Sequence, residues 1–333
     1  FLFFFGLLFA IGISFLIGRY PVGPGTVLRM LLFRLFGVPG NWNKAELTVV
    51  LDIRLPRILA AMLVGSALAI SGAAYQGIFK NPMVSPDILG ASAGAGIGAA
   101  IALLLGFPPA LVQISAFAFG ILAVFLAYSL SRALGKGEDA VLLLVLCGMV
   151  ISTLCQSGIS FVKYVADPNS TLPEITYWLM GSIAAAKLPW VLTLLAVVAV
   201  MLGFFMTQTR ILNLLLAGEE TAIPLGRPLL PFVRLYLLLN ALLVGCIVMN
   251  AGLIGFIGLL VPHFVRMLTG ADHRRLVPVA VLIGGLAAVW ADILGRVLVP
   301  GVDVPLGVML ALLGAPAFVV LLMRRAYRFG GAG

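Results

Sequence analysis

Charged residues are scarce in this sequence. Lys, Arg, Asp and Glu make up 10% of its 333 residues, whereas hydrophobic residues make up 62%. A soluble globular protein carries about 25% charged residues, because its exterior must face water. The apolar segments follow one another without an interval long enough for a soluble domain, so residues 1–333 are predicted to form a single membrane domain.

Residues that carry out catalysis are also few. The histidines are His263 and His273, and the sequence contains no HExxH or GxSxG motif and no carboxylate pair inside an apolar segment. Cys147, Cys155 and Cys246 lie in apolar runs and form no CxxC pair, which favours a packing role over a metal or redox site. We therefore predict no enzyme activity, metal site or cofactor in this chain.

A nucleotide-binding loop is missing as well. The phosphate-cradling pattern GxxxxGK[ST] does not occur, since the Gly135-Lys136 pair is followed by Gly137. If ATP drives this protein, a separate subunit must bind the ATP and its Mg²⁺.

Ionisable residues are nearly absent from the apolar segments. Ion-coupled carriers usually need such groups near the bilayer centre. The nearest case is Asp292 and Arg296, one helical turn apart, and such residues can pair at i, i+4. A structural ion pair and a coupling site both fit this spacing. An ion-coupled secondary carrier acting without an ATPase therefore stays as the alternative function.

The apolar segments predict an all-α, polytopic transmembrane helical bundle with about ten transmembrane helices, since a helix needs about 20 apolar residues to cross the hydrocarbon. The first segment has no cleavage site and is followed by further spans, so we expect a transmembrane helix there, with its basic flank outside this sequence, rather than a secretory signal. The predicted spans are 1–18, 57–77, 88–106, 111–131, 140–162, 189–207, 231–250, 252–268, 277–297 and 305–323.

Two connections between the predicted spans are long, namely 19–56 and 163–188. The second contains a short apolar helix that begins at Pro173-Glu174 and is expected to lie at the membrane surface or dip into it. The net charge of +9 comes from basic residues at the ends of the apolar runs, as expected for anchors and orientation signals rather than for nucleic-acid binding. Their distribution predicts that both termini are cytoplasmic.

Small residues recur at helical spacing in two of the spans. Gly90, Gly94 and Gly98 lie in one, and Gly65 and Gly72 lie in another. Such spacing lets helix backbones approach closely in lipid, so these two spans are predicted to be tightly packed.

Longer motifs carry a family resemblance. RLPRILAAMLVGSALAISGAAYQ at 54–76, KNPMVSPDILGASAGAGIG at 80–98 and AGEETAIPLG at 217–226 are followed by GLIGFIGLLVPHFVRMLTGADHRRLVP at 252–278 and DVPLGVMLALLGAPAFVVLLMRR at 303–325. In this order and spacing they resemble the permease subunits of ABC importers for iron–siderophore complexes, haem and cobalamin, the FecCD and BtuC-like type II importers.

The resemblance implies an assembly in the bacterial cytoplasmic (inner) membrane. The chain would pair with a second permease subunit, which is either another copy or a different chain, and would work by alternating access. Two cytoplasmic subunits would bind ATP, and a soluble extracytoplasmic binding protein would deliver the substrate. The implied substrate is a metal chelate, with an iron–siderophore complex or haem first, then cobalamin, or molybdate in the broader family.

The resemblance also assigns roles at the outer face. Arg54, Arg57 and Arg296 match arginines that receive glutamates of the binding protein, and an exposed guanidinium suits bidentate capture of a carboxylate. Alternatively, these three residues are ordinary interface anchors.

At the inner face, the loop with Glu219, Glu220 and Gly226 resembles the segment that couples to the ATPase, where a glycine permits a sharp bend. The alternative is a plain polar loop. A second inner group could contact the ATPase or simply cap helix ends, and comprises His263, Arg266, Asp272, His273 and Arg274.

The gates are assigned by the same resemblance. Prolines at the inner gate would stop the helix and fix a turn, and the loop at 137–139 is expected to face this region. The inner gate comprises Asn81, Pro82, Ser85 and Pro86, and the outer gate lies near Trp178 and Met180.

A non-transport membrane scaffold is a further alternative. It predicts that Arg54, Arg57 and the coupling loop can be changed without loss of uptake, whereas an ion-coupled carrier predicts uptake without any ATPase.

Overall fold

The computed structural model describes residues 1–37, 40, 42–135, 140–217 and 229–330. Over these residues the regular structure is helical, apart from one isolated β-bridge between Val299 and Val302. The predicted all-α class is therefore confirmed.

The described residues contain fourteen α-helices. The first seven are α1 Leu2–Leu16, α2 Pro24–Phe36, α3 Lys44–Leu47, α4 Leu55–Ile78, α5 Ala91–Leu104, α6 Pro109–Leu134 and α7 Ala140–Val165. The others are α8 Thr171–Leu179, α9 Leu188–Thr207, α10 Thr209–Ala217, α11 Leu229–Ala251, α12 Ile257–Thr269, α13 His273–Val297 and α14 Leu306–Gly330.

Ten apolar helical segments correspond to the ten predicted spans. Within the described part of the chain, six are long and apolar enough to cross a membrane, and four are shorter apolar helices. The short ones are Leu2–Leu16, Ala91–Leu104, Ile257–Thr269 and Leu306–Leu321. The expected polytopic bundle is thus confirmed.

The predicted connection 19–56 is mostly helical, and its last part belongs to the second span, so the predicted start of that span at residue 57 is wrong. It contains α2, α3 and a π-helical stretch, Thr48–Arg54, that runs directly into α4. Asn43 and Glu46 start this continuous helix with a capping box, in which each side chain accepts a hydrogen bond from the other residue's backbone N–H, at 2.7 and 3.0 Å. The polar residues of this first part lower its hydropathy, so the sequence pattern placed the start of the span at residue 57.

The glycines of α4 bring it into backbone contact with two other helices. A Cβ atom at Gly65 would overlap the carbonyl oxygen of Gly284 in α13, and one at Gly72 would overlap that of Gly258 in α12. The prediction of close packing is confirmed here and for Gly94 and Gly98, whose Cβ atoms would lie 2.6 Å from backbone oxygens of α6.

Two helices begin inside the bundle. α5 follows a 3₁₀ turn at Pro86–Leu89, and α12 follows the non-helical segment 252–255. Their starts meet, since a Cβ at Gly258 would lie 2.6 Å from Cδ of Pro86. Non-helical backbone inside a membrane bundle is stable only where protein covers it, and here α4 packs against both the 3₁₀ turn and α12.

The expected short helix after span five is confirmed as α8. It begins at Thr171, two residues before the predicted Pro173, which lies in its first turn. Pro is tolerated there because a first-turn N–H has no intrahelical acceptor.

Candidate functional site: the two ends of the bundle

An arginine network occupies one end of the bundle, which we call the arginine end. Arg57 in the first turn of α4 donates from Nε to Asp292 Oδ1 at 2.8 Å and from Nη1 to Asp303 Oδ2 at 2.6 Å. Arg296, one turn after Asp292 in α13, approaches its other oxygen at 3.1 Å. One buried carboxylate therefore holds two guanidinium groups from different helices.

Arg296 and a further arginine, Arg54, bind the carbonyl oxygens at the end of α1. Arg296 donates from Nη1 to the carbonyl oxygens of Ser14 and Ile17, at 3.1 and 2.8 Å. Arg54 donates to the carbonyl oxygens of Phe15 and Tyr20. The last carbonyls of a helix lack intrahelical donors and carry partial negative charge, so cationic donors stabilise this end of α1.

The expectation that these arginines are exposed is wrong. Arg54 and Arg57 are only 4% and 8% exposed, and the side chain of Arg296 is 6% exposed. Arg57 and Arg296 are paired with carboxylates, and Arg54 is hydrogen-bonded to two backbone carbonyl oxygens. Such partners offset the cost of burying a charge. The i, i+4 pair of Asp292 with Arg296 is confirmed as a structural ion pair, which leaves Asp292 poorly suited to ion coupling.

A cavity of about 230 Å³ opens beside this network. Four arginines and Asp303 line the cavity, and Asp292 lies behind it against Arg57 and Arg296. The cavity therefore carries a surplus of positive charge. Partial burial alone would raise the pKa of Asp303, but its hydrogen bonds and charge interactions with Arg57 and Arg19 outweigh this and lower it. Asp303 therefore stays ionised at neutral pH. The cavity is lined by Gly18, Arg19, Tyr20, Val49, Ile53, Arg54, Arg57, Arg296 and Asp303.

The opposite end of the bundle, which we call the histidine end, joins α10 to α13. Asp272 is the N-cap of α13 and accepts from the backbone N–H of Arg274 at 3.0 Å and from Asn213 Nδ2 at 2.6 Å. Asn213 Oδ1 accepts from the backbone N–H of His273 at 2.9 Å. The hydrogen bonds from Arg274 and Asn213 lower the pKa of Asp272, so this cap is ionised at neutral pH.

His273 is fully buried behind this cap. Its Nδ1 lies 2.8 Å from Asn213 Oδ1, and because that oxygen also accepts the backbone N–H, it is an acceptor and Nδ1 carries the proton. A Cβ at Gly77 of α4 would lie 2.8 Å from His273 Nε2. The imidazole thus fits a space that only a glycine in α4 leaves open.

The match to a protein family covers almost the whole of this architecture. Residues 6–324 match the FecCD transport family. The chain belongs to that family. It is accordingly a permease subunit of an ABC importer, a transport component whose ATPase is a separate subunit.

Relatives and solved structures agree with this assignment. The FecCD permease is 34% identical to the molybdate import system permease protein of Haemophilus influenzae, over 94% of this chain and 91% of that protein. It is 38% identical to the hemin transport system permease protein of Yersinia pestis, over 87% of each. A solved ABC transporter structure assigned to the metal-chelate type, in an inward-facing conformation, has a TM-score of 0.85 at 33% identity and covers 97% of each chain.

The residues predicted to contact the ATPase separate into buried and exposed groups in this FecCD permease. His263 and His273 are buried, so the expectation that they lie on a contact surface is wrong. Asp272 and Arg274 are exposed at the histidine end, and Arg266 is partly buried. Of the alternatives, helix capping is confirmed for Asp272. Glu219, Glu220, Gly226 and the loop at 137–139 lie outside the described residues.

The predicted gate residues of the FecCD permease occupy two separate junctions. Asn81 Oδ1 accepts from Met83 N at 2.9 Å, which fixes the turn leading past Pro82 to Ser85, the N-cap of the 3₁₀ turn that Pro86 begins. The gating role of these residues stays a prediction.

The other junction joins three chain segments through their backbones. Ser182 N donates to Ala251 O at 2.7 Å, and Gly307 N donates to Gly181 O at 3.1 Å. The carbonyls of Trp178 and Met180 face Gly252 and Gly307, where a Cβ atom would overlap them. Trp178 and Met180 thus belong to a junction closed by backbone contacts, and their role as a gate also stays a prediction.

Sequence reasoning missed Asn213 and Asp303 as site residues. Asn213 is a single amide within the apolar run ILNLLLA, and a lone polar residue in such a run signals a hydrogen bond to another element. Asp303 stood inside the motif DVPLG, and only the folded structure shows it facing Arg57.

Proposed function

We propose that this permease carries a metal chelate across the bacterial cytoplasmic membrane by alternating access, and that the substrate is an iron–siderophore complex or haem, followed by cobalamin or molybdate. The observation that carries the proposal is the similarity to the inward-facing structure of the metal-chelate type, which extends over 97% of both chains.

We assign the selection of the substrate to a protein other than this permease. The relatives named for molybdate and for hemin both align with nearly its full length, although one substrate is a small oxyanion and the other a large planar chelate. Because permeases that align over nearly the same length are named for such different substrates, we assign substrate specificity to the binding protein. The path between the two permease subunits would then accept substrates of different size and charge.

The proposed import mechanism requires further subunits. The permease pairs with a second permease subunit, two cytoplasmic subunits hold ATP and Mg²⁺, and a soluble binding protein docks on the outside. α1 ends beside Arg296 and α14 begins just after Asp303, so the start of α1 and the end of α14 lie towards the histidine end. Because the basic residues at the span ends predict that the termini are cytoplasmic, we assign the histidine end to the cytoplasm.

The arginine cavity is the proposed docking point for a carboxylate of the binding protein. Arg54 is the residue best suited to this, because its hydrogen bonds go to backbone carbonyls of Phe15 and Tyr20 and not to a carboxylate. Arg57 and Arg296 already hold Asp292, so they contribute charge to the cavity rather than free donors.

Replacing Arg54 by glutamine should weaken binding of the loaded binding protein about tenfold, which corresponds to about 1.4 kcal/mol. Arg54→Lys should retain part of the affinity, because lysine keeps the positive charge but lacks the planar set of donors that can bind both oxygens of a carboxylate. The matched control is Arg29→Gln, an exposed arginine on α2, which should change affinity less than twofold. Affinity is measured by biolayer interferometry on nanodisc complexes with equal melting temperatures. Equal affinities for all four proteins would contradict docking at Arg54.

Transport itself is tested by ATP-dependent uptake into proteoliposomes. The complex of this permease with its ATPase is supplied with binding proteins loaded with an iron–siderophore complex, haem, cobalamin or molybdate. The triple variant Glu219→Ala, Glu220→Ala, Gly226→Pro should reduce uptake at least tenfold while the complex still assembles. Uptake of one substrate by the intact complex identifies it, whereas uptake without any ATPase would overturn the importer mechanism.

A further inference from the structure

Asn213 makes a hydrogen-bonded connection between two helices that are distant in the sequence. Its carboxamide accepts the backbone N–H of His273 and the Nδ1–H of the same residue, and it donates to Asp272 Oδ1. The backbone N–H groups of a helix's first turn have no acceptor within the helix. α13 therefore takes one of its N-terminal caps from its own Asp272 and another from α10.

The connection through Asn213 has little conformational freedom. The asparagine side chain has only two rotatable bonds, and both ends of its amide are engaged at 2.6 to 2.9 Å. His273 fills the space between α13 and Gly77 of α4, and Leu212 of α10 reaches the same place. A displacement of α10 must therefore either move the start of α13 or break these hydrogen bonds.

Of the two connected helices, α10 lies at the histidine end and α13 extends from there to the arginine end. α10 ends at Ala217, directly before the segment 218–228 that contains Glu219 and Glu220. α13 has 25 residues, which at 1.5 Å per residue extends about 37 Å. Its last turns contain Asp292 and Arg296, and Asp292 also pairs with Arg57 of α4.

We infer that Asn213 is the positioning residue that transmits displacement of α10 to α13, so that movement imposed at the histidine end reaches the arginine end through one continuous helix. The inference rests on the proposed function, in which the ATPase subunits act beside α10. Without the amide of Asn213, α10 can shift while α13 stays in place, and ATP hydrolysis then proceeds without moving substrate.

The test measures transported substrate and hydrolysed ATP in the same proteoliposomes. The variant Asn213→Ala should keep ATP hydrolysis within about twofold of the intact complex and reduce the substrate moved per ATP at least tenfold. The control is Asn240→Ala in α11, because Asn240 is buried and, among the described residues, its amide donates to the carbonyl oxygen of Tyr236 in its own helix, at 2.8 Å. This control should leave the ratio unchanged.

A second variant separates coupling from folding. Combining Asn213→Asp with Asp272→Asn exchanges the amide and the carboxylate. The exchanged pair keeps one negative charge, an acceptor for His273 and an acceptor for Arg274. It should restore the substrate-to-ATP ratio to within about threefold, whereas either single substitution should not.

The outcomes are distinguishable. A reduced ratio in Asn213→Ala, restored by the exchange and absent in Asn240→Ala, supports the inference. Uptake and hydrolysis that fall together, in proportion to the amount of folded complex, would show a purely structural role and overturn it, as would an unchanged ratio. An intact complex that transports nothing in response to ATP would overturn the proposed function and this inference together.

Discussion

Replacing Asp292 by asparagine should lower the free energy of unfolding by about 3–5 kcal/mol, the cost of breaking a buried ion pair by removing one partner. The carboxylate of Asp292 is 2% exposed and holds the guanidinium groups of Arg57 and Arg296. Asparagine has nearly the same shape, so packing is preserved and the loss comes from charge. The two arginines, whose side chains are only 9% and 6% exposed, would then repel each other with little screening by solvent.

The measurement is chemical unfolding in detergent micelles, followed by tryptophan fluorescence. The matched control is Asp303→Asn, which removes the other carboxylate partner of Arg57. Asp303 is 31% exposed, so solvent screens its ion pairs, and its loss should cost about 1 kcal/mol or less. If Asp303→Asn destabilised the protein more than Asp292→Asn did, the central role of Asp292 would be wrong.

Replacing Gly72 by alanine should leave little folded protein in the membrane. A Cβ atom at Gly72 would overlap the carbonyl oxygen of Gly258, and it would also come 2.6 Å from the carbonyl carbon. Overpacking of a core usually costs about 1–3 kcal/mol because side chains adjust. Here the obstacle is the backbone of α12, which cannot rotate away, so α4 and α12 would have to separate and the cost should exceed this range.

This prediction is checked by the yield of monodisperse protein in size-exclusion chromatography and by its melting temperature. Gly203→Ala in α9 provides the control, because a Cβ there meets nothing within 4 Å. Since alanine is the better helix former, Gly203→Ala should be neutral or stabilise the protein by about 0.5–1 kcal/mol. Comparable yields for the two variants would show that the α4–α12 contact can relax.

Helix existence was predictable from the sequence, whereas helix starts and burial of charge were not. The ten apolar runs identified the spans because hydropathy depends on each segment alone. The first part of the 44–78 helix was missed because Lys44, Glu46, Asp52 and Arg54 resemble a polar loop. Its capping box was visible at Asn43 and Glu46, but hydropathy gave it no weight.

The arginines show why the candidate sites could be predicted only in part. Their positions near a span end were apparent, and so was the spacing of Asp292 and Arg296. Their burial depends on Asp292 and Asp303 meeting Arg57 across more than 200 positions of sequence, which no local pattern encodes. Asn213 was missed for the same reason, since its partners at 272 and 273 belong to another helix.

The distance in sequence between Arg57 and Asp292 also has a consequence for biosynthesis. They are 235 positions apart, and at about 5–20 residues per second a ribosome needs roughly 12–47 s to add that length. During this time α4 is already made while its buried charge has no carboxylate to meet. The nascent chain therefore contains Arg57 before either of its carboxylate partners, and the arginine network can close only after residues 292 and 303 have been synthesised.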